Sequence, residues 1–174
     1  SSEKLSRGHR FKAPEEFEVN APSFLEELRR RYVEPDAQLR RKKIQSETIA
    51  LAPGAVIDEN LLDENANLTE WPVPILGSFR SEFLGLPKSV LVTAMAKHER
   101  FFPIEENGNL SMQFVSVTNA GETETVRAGN EWVLNARLND ARFFFDEDGR
   151  RTLEDFWQAT ERITFQEKLG TIKQ

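Results

Sequence analysis

The sequence predicts an α+β domain, a mixed or antiparallel sheet containing one hairpin and packed by several helices. Three observations carry that expectation. Asn107-Gly108 separates two strand-like runs and is the strongest hairpin signal in the chain. From Gly129 to Gly149, Leu134, Leu138, Ala141 and Phe145 recur at helical spacing, and Trp132, Val133 and Phe144 widen the stripe. The chain has 174 residues with 39% apolar content, enough for one sizeable core, and its 13 Phe and 3 Trp against 1 Tyr bring aromatic area that needs no hydroxyl partner.

Composition narrows the class. With no Cys, disulfides and thiolate metal sites are excluded, and the chain fits a reducing compartment. No apolar run approaches a membrane span and no signal segment is visible, so a cytoplasmic protein with no membrane partner is expected. The net charge of −6 excludes a surface that attracts polyanions everywhere. Its distribution is uneven: residues 1–51 hold 11 Lys/Arg against 9 Asp/Glu, residues 52–80 hold 1 against 5, and residues 81–174 hold 11 against 15. Any polyanion contact is therefore local and falls most naturally in the first third. Residues 1–51 read as a basic N-terminal arm and helical pair and 52–174 as an α+β body, with one continuous domain as the alternative. A start at Ser1-Ser2 in place of Met reads as a piece of something longer.

In order, Arg7-Gly8-His9-Arg10-Phe11 is a loop in which glycine permits a tight turn and three cationic or titratable side chains converge, able to hold a phosphate or a carboxylate, or else a loop tied down by Phe11 with its basic groups exposed. Glu16 to Val19 is a short strand. Asn20 and Pro22 open a helix to about Val33 with Phe24, Leu28 and Tyr32 on one face. Asp36 caps a second helix to Leu51, antiparallel to the first, with Ala37, Ile44, Thr48 and Leu51 aligned. Their outer faces carry Arg29-Arg30-Arg31 and Arg40-Arg41-Lys42-Lys43, read either as a solvated face balanced by Glu26 and Glu27 or as an RNA contact. Asp58 to Asn67 is a short acidic helix. Trp71 to Phe79 is an edge strand, because Pro72 and Pro74 donate no hydrogen bond.

Leu86-Pro87 begins a helix with Leu91, Met95 and His98 in line, closed by Lys97 to Arg100 at the negative end of its dipole. Phe101 to Glu105 and Met112 to Thr118 flank the hairpin turn, the second apolar on parts of both faces and so covered by helices. Thr123 to Val126 reads as a short strand extension. Asn130 is the expected N-cap of the central helix and Gly149 its left-handed C-cap. Thr152 starts a last helix, Leu153 to Ala159, with Phe156 and Trp157 inward. Asp146-Glu147-Asp148-Gly149 lacks the spacing of a calcium loop, and the two histidines, His9 and His98, do not make a zinc site. His98 has no nucleophile or second acid at a diagnostic spacing, so an edge or capping role outweighs a catalytic one.

Four segments together resemble the beta subunit of the bacterial two-subunit glycyl-tRNA synthetase. They are Arg7-Gly8-His9-Arg10-Phe11; Glu70-Trp71-Pro72 with Gly77-Ser78-Phe79; Lys97 to Pro103; and Val133 to Phe144. The closing Phe165 to Gly170 is similar to the same family. The family pattern has Gln-Arg-Tyr where this chain has Glu99-Arg100-Phe101, and Arg where it has Asn135. The resemblance implies an internal fragment of a longer subunit that supports tRNA binding and aminoacylation. A separate alpha subunit would hold ATP, glycine and magnesium, and the fragment itself would be inactive, with no catalytic residue, cofactor or metal of its own. It further implies a likeness to the accessory, editing-like domain of phenylalanyl-tRNA synthetase beta subunits. Arg7, His9, Arg10, Lys97, Arg100, Arg137 and Arg142 are the expected contacts to the tRNA for glycine. Two other readings stand beside this one: a hydrolase of mischarged tRNA with His98 as base, and a purely structural module contacting its own or the alpha subunit.

Overall fold

The structure, a computed structural model, describes residues 4–160, 163–166 and 170–171. In chain order the elements are β1 (Leu5–Arg7), β2 (Glu16–Glu18), α1 (Phe24–Arg30), α2 (Ala37–Leu51), α3 (Glu59–Leu68), β3 (Val73–Ser78), α4 (Lys88–Val92), β4 (Phe102–Glu106), β5 (Asn109–Thr118), α5 (Thr123–Gly149), α6 (Leu153–Ala159), β6 (Thr164–Gln166) and β7 (Gly170–Thr171). A 3₁₀ turn at Ser81–Gly85 precedes α4, and a π-type turn at Thr93–His98 continues it.

The body is an antiparallel sheet in the order β3-β5-β4; β1-β2 and β6-β7 are separate two-stranded ribbons. Asn107 and Gly108 both take positive φ, 51° and 81°, as a primed hairpin turn requires. β5 is central, and at Phe114 to Ser116 both its faces are buried. On one, Phe114 packs with Phe79, Phe83, Leu91, Met95, Leu134 and Leu138. On the other, Val115 packs with Ile44, Leu61, Leu62, Phe102 and Ile104. Ile44 of α2 thus shares a core with residues beyond position 52.

Several expectations are corrected. α2 takes α3 and β3 as its partners rather than α1. Arg40 donates to the carbonyls of Ala66 (2.7 Å) and Glu34 (2.6 Å), and Arg41 pairs with Asp63 (2.7 Å) and Glu59, so half of that basic run stitches α2 to its neighbours. α1 ends at Arg30, short of Val33, because Tyr32 turns left-handed with φ 59°. Tyr32 N donates to the Arg29 carbonyl and Val33 N to that of Leu28, which makes Tyr32 the C′ residue of a Schellman motif, usually a glycine position.

α5 begins at Thr123, so the expected strand extension is its first turn. Gly121, φ 101°, turns the chain directly into it. Asn130 is accordingly mid-helix and donates to Ser116 Oγ (2.9 Å), while Glu131 accepts from Ser78 N (2.9 Å) and Asn135 from Arg80 N (3.0 Å). These polar groups latch α5 to β3 and β5. Gly149 is the last helical residue rather than a left-handed cap. Of the expected stripe only Leu134 and Leu138 are buried, whereas Trp132, Phe144 and Phe145 are exposed, as is Phe143 beside them. The sheet has run out beneath the second half of the helix. For the same reason Phe156 and Trp157 of α6 do not face a core, though Thr152 and Asp155 form the helix's capping box. The side chains of Phe165 to Gly170 lie outside the described residues.

Candidate nucleic-acid interface

The loop Arg7–Phe11 is fixed from within. His9 is completely buried; its Nε2–H donates to the Asn119 carbonyl (2.7 Å), and its Nδ1 accepts from the amides of Phe11 (3.2 Å) and Lys12 (3.3 Å). Those partners assign the proton to Nε2. Gly8 is required by close approach rather than by a tight turn. A Cβ there would lie 2.4 Å from Arg31 Cβ and 2.9 Å from the carbonyl oxygens of Ala13 and Arg31. The Asn119 side chain meanwhile accepts from the amides of Glu70 (2.8 Å) and Trp71 (2.9 Å). One residue at the end of β5 therefore holds both the Arg7–Phe11 loop and the Glu70-Trp71-Pro72 loop.

What those loops display is an alternation of cations and rings. Lys12 Nζ lies 5.3 Å above Tyr32, Tyr32 meets Trp71 edge-on at 5.7 Å, and Lys43 Nζ lies 5.9 Å from Trp71. Arg10 sits 5.5 Å over Phe11, which is 72% exposed, so buried His9 rather than Phe11 ties the loop down. Each exposed cation–ring contact is worth about 0.5–1 kcal/mol. Lys12, Tyr32, Lys43 and Trp71 escape a reading for charge alone, because they come from four separate segments. The usable signal is that Tyr32, the single tyrosine, stands at a helix terminus next to Arg31.

The expected contact residues fall into two groups. Arg7 is spent on Glu16 (2.6 Å), His9 offers no surface, and Arg10 is exposed. Far along the chain, Arg100 (φ 58°) pairs with Glu64 at 3.1 Å and Arg137 with Glu99 at 3.2 Å. Arg142 lies 3.5 Å from Glu82 and 5.1 Å over Phe83. Among the described residues, Arg10 and Lys97 are the two of the seven that neither form an ion pair nor are buried.

Between α4, its π-type turn and α5 lies an open cleft of about 470 Å³ lined by Ser89, Thr93, His98, Arg137, Asp140 and Phe144, among others. His98 is exposed there rather than packed on the Leu91–Met95 line, since the π-type turn adds a residue and rotates it out.

A carboxylate anchors the display from below. Glu34, 12% exposed, accepts from Arg29 Nε (2.8 Å), and that bond, helped by the Asp36 amide, holds its carboxyl below the usual carboxylate range, while raising Arg29. A depressed folded value means the stabilisation is complete above the unfolded carboxylate range and is lost as pH falls through and below it. Acid titration of unfolding is expected to lose this increment below about pH 4–5, and Glu34→Gln should flatten that part of the profile. An unchanged profile in the variant would refute the assignment.

The fold and its surfaces describe a helix-covered sheet that presents paired and free cations beside rings, and comparison with known families places the chain among components of aminoacyl-tRNA synthetases. It belongs to the glycyl-tRNA synthetase beta subunit family, whose model matches residues 1–174. Relatives named glycine–tRNA ligase beta subunit include those of Trichlorobacter lovleyi (43% identical over 98% of this chain), Ligilactobacillus salivarius (40% over 97%) and Bacillus subtilis (40% over 98%). The chain spans about a quarter of the length of these relatives, 25–26%.

Proposed function

We propose that this chain is a non-catalytic module of a glycine–tRNA ligase, contributing scaffold and tRNA contacts while a separate alpha subunit binds ATP, glycine and magnesium and performs the chemistry. The observation that carries it is the Asn119 clamp, which fixes the Arg7–Phe11 and Glu70–Pro72 loops and sets Trp71 beside Tyr32, where Lys12 and Lys43 lie over the two rings. That surface chemistry suits a polyanion with stacked bases. A cytoplasmic setting goes with this reading; among the described residues no helix is long and apolar enough to cross a membrane. A likeness to the accessory, editing-like domain of phenylalanyl-tRNA synthetase beta subunits is proposed too, supported by a helix-covered antiparallel sheet.

A second reading, hydrolysis of mischarged tRNA, draws on the cleft that holds His98 together with Asp140. One set of variants of the full two-subunit enzyme separates the two. Arg10→Glu with Lys97→Glu is expected to weaken tRNA binding several-fold and reduce its salt dependence, more than Arg137→Glu with Arg142→Glu, whose arginines are already paired with carboxylates. Unchanged affinity with all four reversed would overturn the tRNA-contact reading. Loss of deacylation of mischarged tRNA in His98→Gln, with affinity intact, would favour the hydrolase instead.

A further inference from the structure

We infer that Tyr32 and Trp71 form a stacking platform for an unpaired base of a single-stranded tRNA segment, with Lys12 and Lys43 taking the adjoining phosphates. The inference rests on the tRNA-contact reading and makes it specific: a loop or end of the RNA, not its double helix.

The first support is conformational. Tyr32 holds the left-handed C′ position at φ 59°, where glycine would sit without strain, yet the chain places its single tyrosine there, 42% exposed. Strain retained at an exposed aromatic points to use of the ring rather than to packing. The second is rigidity. Glu34 N donates to the Glu70 carbonyl (2.9 Å), tying the Tyr32 turn to the Trp71 loop, and Asn119 holds the Trp71 amide. The rings therefore meet a ligand already oriented, which lowers the ordering cost of binding.

The third support is the placement of charge. Lys12 and Lys43 lie over the two ring faces at 5.3 and 5.9 Å. Among the described residues Lys12 has no carboxylate partner, while Lys43 pairs with Glu47 four residues away. A base sliding onto a ring displaces a lysine head outward, where the flanking phosphate can receive it. Base–aromatic stacking replaces the cation–ring contact and the freed ammonium gains a stronger anion. A duplex cannot offer this exchange, because its bases are already stacked.

The test uses the full two-subunit enzyme, with a single-stranded oligoribonucleotide carrying 2-aminopurine, the same sequence as a duplex, and the tRNA for glycine. Expected are quenching of 2-aminopurine on binding the single strand and weaker binding of the duplex. Tyr32→Gly should lower single-strand affinity roughly tenfold and abolish the quench, with the unfolding temperature unchanged or raised because the strain is relieved. Tyr32→Phe should retain both affinity and quench, and Trp71→Leu supplies a second variant that removes a ring. Lys12→Gln should instead reduce the single-strand salt slope by about 0.7.

Wild-type affinity in both Tyr32→Gly and Trp71→Leu, or equal affinity for duplex and single strand, would overturn the platform. If Lys12→Gln still weakens tRNA binding in that case, the tRNA-contact reading survives and only stacking falls. If it does not, this surface is no RNA contact at all.

Discussion

His9→Ala is expected to lower the unfolding free energy by about 2–4 kcal/mol, although the residue lies in a loop near the chain start. The imidazole fills a site with no solvent exposure and is bonded through both nitrogens to Asn119, Phe11 and Lys12. Alanine leaves the Asn119 carbonyl without its donor and opens a void; an unpaired buried group costs about 1–3 kcal/mol. Phe11 and Lys12 are exposed, so water can satisfy their amides at smaller cost. The effect should also spread. Asn119 grips Trp71 through its side chain, so urea unfolding of His9→Ala should come with altered tryptophan emission in the folded baseline. A change below about 1 kcal/mol would show that the loop is only draped on the surface.

The largest single loss is expected from Phe114→Ala, about 3–5 kcal/mol. Phe114 is fully buried at the centre of β5 and stacks on Phe101, ring centres 4.6 Å apart. Its ring also explains Gly77, since a Cβ on that residue would come within 2.6 Å of Phe114 Cζ. Gly77→Ala alone should therefore cost about 1–3 kcal/mol by overpacking. Combined with Phe114→Ala, the added methyl falls into vacated space, so the pair should be less damaging than the sum of the singles. Chemical denaturation of the four proteins in a cycle measures that coupling. Simple additivity would mean that the backbone, rather than the ring, excludes a side chain at Gly77.

The elements legible in the sequence are those with a local cause. Asn107-Gly108 fixes its own turn, Asp36 and Thr152 cap helices within three residues, and Pro74 of β3 leaves it only an edge position. The misreadings share another origin. Asn130 resembles a cap, but two polar residues on the sheet, Ser116 and Ser78, recruit it and Glu131 as cross-links. Periodicity marks the Leu134–Leu138 part of the apolar stripe on α5 but carries no information on how far the core beneath it extends, so it points Phe144 and Phe145 into a core that stops at Leu138.

For the site, the segments were legible while their roles were not. Arg7, Arg100, Arg137 and Arg142 read as free cations because their carboxylate partners are 9, 36, 38 and 60 residues away in sequence. His9 read as a surface group because nothing near it announces Asn119, 110 residues further on. The Tyr32–Trp71 pair is invisible for the same reason: it exists only once α1, α2 and the end of β5 have been brought together.

The outer border of β3 has few free donors to offer a visiting strand. Pro74 has none, and the Ser78 and Arg80 amides are engaged by Glu131 and Asn135. On the opposite border, β4 is bridged by Ala55 at Ile104 and its Glu105 amide donates to Gly54. A neighbouring polypeptide therefore finds little free backbone on either border for annexing the sheet. Recognition at those borders falls to side chains, which a sequence can tune one residue at a time, and fibrillar stacking of the free module loses its simplest template.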